Sequence, residues 1–206
     1  MRAWGPAACL HLAVLLGGEA SAAERARDAF VARHLCGART LLTRIHERGP
    51  PTTSRDRFLV LAVRDQPQHY VQCIFFDTDR KMLCEASSGA YRYVARDGLR
   101  LDQAADSVAA LEGLGFALPA SGGNFAREVI LGTPPDLDAA ARLMLAALHD
   151  GYRADDTSVL DAVAPTAGDE PACGLRPAPT GGDAVTITAT PAPPLNARRG
   201  SPEPGR

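Results

Sequence analysis

The residues with the clearest potential for chemistry are cysteines. Cys36, Cys73, Cys84 and Cys173 remain after removal of a predicted N-terminal signal segment, which contains Cys9. Thiols form disulfides, bind metals or act as nucleophiles, and each role needs a different neighbourhood. The chain has no Cys-x-x-Cys pair and no Cys/His spacing typical of zinc. We therefore expect no metal and no other cofactor.

A thiol-based enzyme or redox sensor that uses Cys36, Cys73 or Cys84 is one functional hypothesis. A nucleophilic thiolate needs a nearby base or a cationic environment. His69 lies four residues before Cys73 on the same predicted strand, which separates the two side chains by roughly 13 Å. That distance argues against a Cys/His dyad from this pair.

Other enzyme signatures are missing from the sequence. It contains no Gly-x-Ser-x-Gly, no His-Glu-x-x-His and no phosphate-binding glycine loop, and its carboxylates are dispersed singly. The net charge of −2 gives no sign of a nucleic-acid or anionic-membrane surface. We expect a protein that is not an enzyme, with no catalytic residue and no nucleic-acid partner.

The element that positions two of the cysteines is a predicted β-hairpin within residues 69–91. Strand-forming residues flank the turn-forming stretch 77–80 on both sides. Counting outward from a loop at Thr78 and Asp79 places Cys73 directly opposite Cys84. The two cysteines then either form a disulfide or pack as two buried thiols.

Alternation along the first hairpin strand separates its side chains into two faces. Val71, Cys73 and Phe75 make the uniformly apolar face, which we expect to meet the helices. Tyr70 and Gln72 then point to the opposite, more accessible face.

The elements around the hairpin predict an α+β fold, with an antiparallel sheet of three to five strands packed against about three helices. The predicted order α-β-β-β-α-β-α comprises a helix over 24–47, a strand over 57–63, the hairpin, a helix over 101–114, a strand over 125–131 and a helix from Asp136 to Gly151. Residues 91–94 are a candidate for one more short strand. His34 and His46, on the first helix, are expected at the surface or at its boundary with the core.

The first 22 residues match a secretory signal. Arg2 precedes an apolar run over 7–16, and the small residues Ala20–Ala23 follow a Gly-Gly break. Cleavage is expected after Ala22 or Ala23, which would place the protein in the periplasm or outside the cell. The alternative is a cytoplasmic protein, and no later segment could serve as a transmembrane anchor.

The domain is predicted to cover residues 24–162, and a disordered tail rich in Pro, Gly and Ala to cover 163–206. The tail holds nine of the 16 prolines and scarcely any large apolar side chains. Within it, Val185–Thr188 is a candidate for a transient strand. Cys173 would then offer a free thiol or an intermolecular bridge.

Five short motifs, in their order and spacing, resemble the TY-Chap superfamily of type III secretion chaperones and YbjN-like proteins. They are Tyr70-Val71-Gln72, Glu85-Ala86-Ser87-Ser88, Leu114-Gly115-Phe116, Gly123-Asn124-Phe125, and Leu143-Met144-Leu145 with Tyr152. The resemblance implies an α+β domain that binds peptides or partner proteins and has no known catalytic machinery. It also allows a homodimer, for which the sequence has no heptad pattern.

The leading hypothesis is an exported, non-enzymatic, chaperone-like module that holds a peptide or protein segment on the open sheet face or a sheet edge. The candidate contact residues are Tyr70, Gln72, Glu85, Ser88 and Asn124. Each also has a purely structural interpretation: Tyr70 closing the core, Glu85 pairing with an arginine such as Arg92, or Asn124 stabilising a turn. A structural envelope protein is a third hypothesis.

Overall fold

The structure is a computed structural model that describes residues 10–49, 56–89, 104–120 and 122–177; for 10–21 and Pro67 only the backbone is described. The elements in chain order are α1 (Leu10–Arg48), β1 (Phe58–Val63), β2 (Gln66–Phe76), β3 (Lys81–Ala86), α2 (Ala105–Gly113), β4 (Phe125–Ile130), α3 (Leu137–Ala146), a π-helical turn (Ala147–Gly151) and β5 (Leu160–Val163). The predicted α+β class is confirmed. The candidate strand at 91–94 lies outside the described residues.

The five strands form one antiparallel sheet in the order β4-β3-β2-β1-β5. The hairpin has the predicted register, with Cys73 opposite Cys84 and Phe76 opposite Lys81. Its turn begins at Asp77, which, like the two residues after it, has a positive φ.

The helices pack on one side of the sheet, here called the helix-side face, and bury an apolar core there. Val71, Cys73 and Phe75 are fully buried in this core, as the alternation of β2 predicts. From α1, the core takes Phe30, Leu41 and other side chains of one helical stripe. The opposite side of the sheet, here called the outer face, carries a second and smaller cluster.

Local signals in the sequence explain where the later helices begin and end. The Asp136 carboxylate accepts the Ala139 N–H at 2.9 Å, which caps the first turn of α3 as predicted. Gly115 follows α2 with a φ of 80°, and the Phe116 N–H bonds back to the Leu111 carbonyl. This is the left-handed helix ending for which glycine is suited.

The fold continues past the predicted domain boundary at 162. Leu160–Val163 forms the edge strand β5, and the next residues, 164–177, pack against α1; we call them the C-terminal strap. Ala167, Ala172 and Leu175 of the strap are buried. Composition failed to predict this order because small side chains such as alanine give little hydrophobic signal. Val185–Thr188 lies outside the described residues.

Helix α1 begins earlier than predicted, at Leu10, and runs through the predicted cleavage point. Within the described part of the chain, no helix has both the length and the apolar character needed to span a membrane.

Candidate functional site

Four of the five motifs meet at one end of the sheet, in a set of buried residues that we call the polar junction: Tyr70, Ser87, Ser88, Asn124 and Tyr152. The Asn124 side chain donates to the Tyr70 hydroxyl at 2.9 Å and accepts the Ser88 N–H at 3.3 Å. The Tyr152 hydroxyl donates to the Ser87 carbonyl at 2.6 Å. Three predicted partner-binding residues thus bond within the fold, and their contact with a partner stays a prediction.

The Tyr152 hydroxyl of the polar junction is held in its protonated form. Burial raises the pKa of Tyr152 well above its ordinary value, and the neighbouring Tyr70 raises it further. The Tyr152 hydroxyl is therefore a hydrogen-bond donor at neutral pH. Its hydrogen bond ties the end of the π-helical turn to the end of β3.

Gln72 and Glu85, the other two predicted contact residues, lie directly opposite each other on β2 and β3 and point to the outer face. Both side chains are half-buried. The Gln72 Oε1 atom is buried and has no hydrogen-bond partner among the described residues. Burial raises the pKa of the Glu85 carboxyl group. Arg92, its proposed partner, lies outside the described residues, so their pairing stays a prediction.

The second feature suited to binding is the backbone edge of β4 on the side away from β3. Ala117 and Ala126 exchange both backbone hydrogen bonds, at 2.9 and 2.8 Å, across this edge. Glu128 and Ile130 follow Ala126 at two-residue spacing, so their backbone groups also point away from β3. No described residue pairs with them. The Ile130 side chain is 66% exposed, more than any other large hydrophobic side chain in the described ranges.

All four cysteines of the described chain are paired. Cys73 and Cys84 form a disulfide across the hairpin, with 4.0 Å between their Cα atoms, which decides between the two alternatives left open by the sequence. Cys36 is bonded to Cys173, so Cys173 is neither a free thiol nor an intermolecular bridge in this structure. The thiol hypothesis loses its nucleophiles in this oxidised form. In the same residues, no group of three or more His, Cys, Asp or Glu is arranged to hold a metal ion.

One buried charged cluster was not predicted from the sequence. Arg57, at the start of β1, is 1% exposed and makes two hydrogen bonds to Asp79, at 2.5 and 2.6 Å. Its guanidinium also donates to the carbonyl of His46 at the end of α1, and lies 5.3 Å from the Phe75 ring centre. His46 bonds to Asp79 at 3.2 Å and is half-buried, in agreement with the expected surface or boundary position. The cluster links α1 to the hairpin turn and has a structural role.

A charged residue opening an otherwise apolar strand was the only sequence signal for this cluster. Arg57 begins the run that continues as Phe58–Val63, and Asp79 lies in a turn where acidic residues are common. Neither position by itself predicts the other. Their pairing needs the path of the chain between them.

Comparison with known proteins places this arrangement in a family. The family model of T3SS (YopN, CesT) and YbjN peptide-binding chaperone 3, TY-Chap3, matches residues 42–166, more than half of the chain. No curated protein and no solved structure matches. The matched region begins near the end of α1 and contains the whole sheet, the polar junction and the β4 edge. The chain therefore belongs to the TY-Chap3 family of peptide-binding chaperone domains.

Proposed function

We propose that this protein is an exported, non-enzymatic chaperone module that binds an extended peptide segment by adding it to the edge of β4. The observation that carries this proposal is the partly used edge itself. Ala117 already pairs there with Ala126 as an added strand would, and the adjoining backbone of Glu128 and Ile130 is left for another chain.

The side chains along this edge favour a segment that is partly apolar. Ala126, Glu128 and Ile130 face the outer side of the sheet, where Leu83 lies directly opposite Glu128 on β3. Lys81 pairs with Glu128 at 2.8 Å, which leaves Ile130 as the apolar contact. Backbone hydrogen bonds would supply affinity for any extended segment, and Ile130 would select apolar side chains at alternate positions.

Gln72 and Glu85 lie two and one strands inward from β4 on the same face. Long donor side chains of the bound segment, such as lysine or arginine, would reach towards them. In this arrangement the edge provides the main contact and the Gln72/Glu85 pair provides a secondary preference.

The decisive experiment compares two charge insertions at opposite edges of the sheet. Peptides are selected from a random library on the folded protein, and the dissociation constant of a fluorescein-labelled binder is measured by anisotropy. We expect Ile130→Lys to weaken binding at least about tenfold, because an edge lysine opposes strand addition. Val159→Lys is the matched control, since Val159 is 47% exposed next to β5, at the far edge.

Two results would contradict the edge proposal. One is equal binding by the Ile130→Lys variant and the unchanged protein. The other is a loss of binding in Gln72→Ala with none in Ile130→Lys, which would place the binding site at the Gln72/Glu85 pair and not at the β4 edge. Ile130 is 66% exposed, and Gln72 is half-buried with no described partner for its Oε1 atom, so we expect both variants to fold. Circular dichroism verifies folding before binding is measured.

Export is supported by the exposure of the expected cleavage point and by the cysteine pairs. Residues 22–26 are exposed, and Phe30 is the first buried residue among the described side chains of α1, which begin at Ala22. Cleavage after Ala22 or Ala23 would therefore remove none of the described core side chains. Two intrachain disulfides are typical of proteins that fold in an oxidising compartment.

The intact mass of the protein purified from its native host tests export. We expect a chain that begins at Ala23 or Glu24 and carries two disulfides. A full-length chain with all five thiols free would overturn this part of the proposal and favour a cytoplasmic chaperone. Peptide binding at the β4 edge would not be affected by that outcome.

A further inference from the structure

The two disulfides differ in their access to solvent. Cys73 and Cys84 are both 0% exposed, under the helices on the helix-side face of the sheet. Cys36 and Cys173 are both exposed, on α1 and on the C-terminal strap. Thiol–disulfide exchange requires a thiolate to approach a sulfur atom in line with the bond, so access controls its rate. The two bridges should therefore respond very differently to a reductant in solution.

We propose that Cys36–Cys173 is a thiol–disulfide exchange site whose reduction releases the C-terminal strap from α1. The reductant is a dithiol. Its thiolate attacks one sulfur of the bridge, the S–S bond breaks, and the other cysteine leaves as a thiolate that takes a proton from water. The second thiolate of the reagent then attacks the reagent's own sulfur in this mixed disulfide and displaces the bonded cysteine as a thiolate, which takes a proton; the products are two cysteine thiols and an oxidised dithiol.

The charges around Cys36 favour the approach of an anionic thiolate. Arg33 and Arg39 lie three residues before and after it, which places both on the same side of α1 as the cysteine. Both arginines are exposed; Arg39 pairs with Asp138 at 3.5 Å, whereas Arg33 donates to the Asp156 carbonyl oxygen and has no carboxylate partner among the described residues. The thiol peptides and proteins that carry out exchange reach the sulfur as anions, so a basic surface raises their local concentration.

Besides the disulfide, small buried side chains and polar contacts hold the strap in place; the polar contacts include an Arg48 bond to the Ala167 carbonyl and the ion pairs of Arg44 and Arg48 with the exposed Glu170 carboxylate. The buried side chains of the strap are small, chiefly Ala167 and Ala172, with Leu175 as the largest. Arg44 donates to the Glu170 and Pro171 carbonyls at an exposed position, and such hydrogen bonds compete with water. Ordering 14 residues costs conformational entropy that these contacts offset only in part. The covalent link therefore has a large share in keeping the strap on the helix.

The strap covers two surfaces that its release would expose. At Gly37 the backbone of the strap comes so close that an added Cβ would lie 2.7 Å from the Ala172 carbonyl oxygen. At the end of the strap, Pro177 pairs with Ala162 along the edge of β5 on the side away from β1. Reduction would expose the surface of α1 around Gly37 and the edge of the sheet at β5.

The first test measures which bridge reacts. The folded protein is treated with increasing dithiothreitol, alkylated at intervals and mapped by peptide mass spectrometry. We expect Cys36 and Cys173 to be labelled at least about tenfold faster than Cys73 and Cys84, which should react only on unfolding. Equal rates, or faster labelling of the hairpin pair, would overturn the proposal.

The second test measures whether the strap is released. Hydrogen exchange is compared between the oxidised protein, the selectively reduced protein and the C36S/C173S variant. The Ala172 and Leu175 amides, which bond to each other's carbonyl oxygens at 2.7 and 2.9 Å, should exchange at least about tenfold faster without the bridge. The amides between β2 and β3 serve as the internal control and should not change.

Unchanged exchange in the strap of both bridge-free forms would show that packing alone holds it, and would overturn its release. If the double variant does not fold, the selectively reduced protein answers the same question. A faster exchange that extends to β2 and β3 would show global destabilisation, which also contradicts the proposal.

Discussion

The two faces of the sheet differ in what they bury and therefore in what they can do. The helix-side face is mainly apolar, and residues such as Val71, Cys73 and Phe75 are 0% exposed. On the outer face, Val60, Ala62 and Tyr70 form a small buried cluster. Gln72 and Glu85 on the same face are half-buried polar residues.

This difference separates stability from recognition within a single strand. Apolar burial under the helices contributes the larger part of the folding energy, at about 25 cal/mol for each Å² removed from water. Half-buried polar groups without full hydrogen bonding oppose folding. A surface that costs stability is more easily explained by binding than by folding, and four pairs of substitutions can test this difference between buried and accessible positions.

Adjacent phenylalanines on β2 give the largest expected contrast. Phe75 is 0% exposed and lies under Arg57, whereas Phe76 is half-buried on the outer face beside Lys81. We expect Phe75→Ala to lower the free energy of unfolding by about 4 kcal/mol and Phe76→Ala by about 1 kcal/mol. Urea denaturation measures both. Both substitutions replace a phenylalanine of β2 by alanine, so equal losses in the free energy of unfolding would mean that the two faces do not differ in packing.

The hairpin turn allows the same comparison for charge. Asp79 pairs with buried Arg57, and Asp77 pairs with exposed Arg80 at 3.0 Å. We expect Asp79→Asn to cost about 3 kcal/mol, because it leaves the Arg57 charge buried without its counter-charge. Asp77→Asn should cost less than about 1 kcal/mol.

Asparagine suits this comparison because both positions have positive φ, which asparagine tolerates. Thermal unfolding of the two variants at the same pH is sufficient. A loss from Asp77→Asn as large as that from Asp79→Asn would assign the effect to the turn and not to the buried pair.

The third comparison is between a residue of the polar junction, which has a structural role, and a residue of the Gln72/Glu85 pair, which is a candidate contact. Asn124→Ala removes one donor to Tyr70 and one acceptor for Ser88, so we expect a loss of about 2 kcal/mol. Gln72→Leu removes an oxygen that has no described partner, and its effect should stay within about 0.5 kcal/mol. Chemical denaturation of both variants tests this order, and a larger loss for Gln72→Leu would give Gln72 the structural role.

Local patterns predicted the hairpin and its faces because they depend on neighbours in the sequence. Alternation and the turn at 77–80 are sufficient to place Cys73 opposite Cys84, since the strand period is two and the loop is short. The cap at Asp136 and the helix ending at Gly115 have equally local causes. These features required no knowledge of the tertiary path.

The features that were missed join distant segments. Cys36 and Cys173 are 137 residues apart, and nothing in their spacing predicts a bond. Arg57 and Asp79 meet only because β1 and the hairpin turn converge under α1. Tyr70 and Asn124 were each identified as candidate contacts, but their mutual hydrogen bond spans 54 residues and changes what each one does.

The smallest expected effect concerns Glu85 and depends on pH. Burial raises the pKa of its carboxyl group, so the folded protein retains the Glu85 proton to a higher pH than the unfolded chain does. Between the two pKa values the folded state binds more protons, and linkage then makes stability fall as the pH rises through this window. The loss is complete above the folded-state pKa and absent below about pH 4, where the carboxyl group is protonated in both states.

Glu85→Gln removes that ionisation, so the variant should be slightly more stable than the unchanged protein near pH 7. The gain stays small because the side chain is still partly exposed and water screens its charge. Urea denaturation over a series of pH values measures the difference. Glu128→Gln, an exposed change of the same kind on the same face, is the control and should show no such gain. A stability difference for Glu85→Gln that persists unchanged below about pH 4 would show that the carboxylate charge is not its cause, and that the outer face does not oppose folding through Glu85.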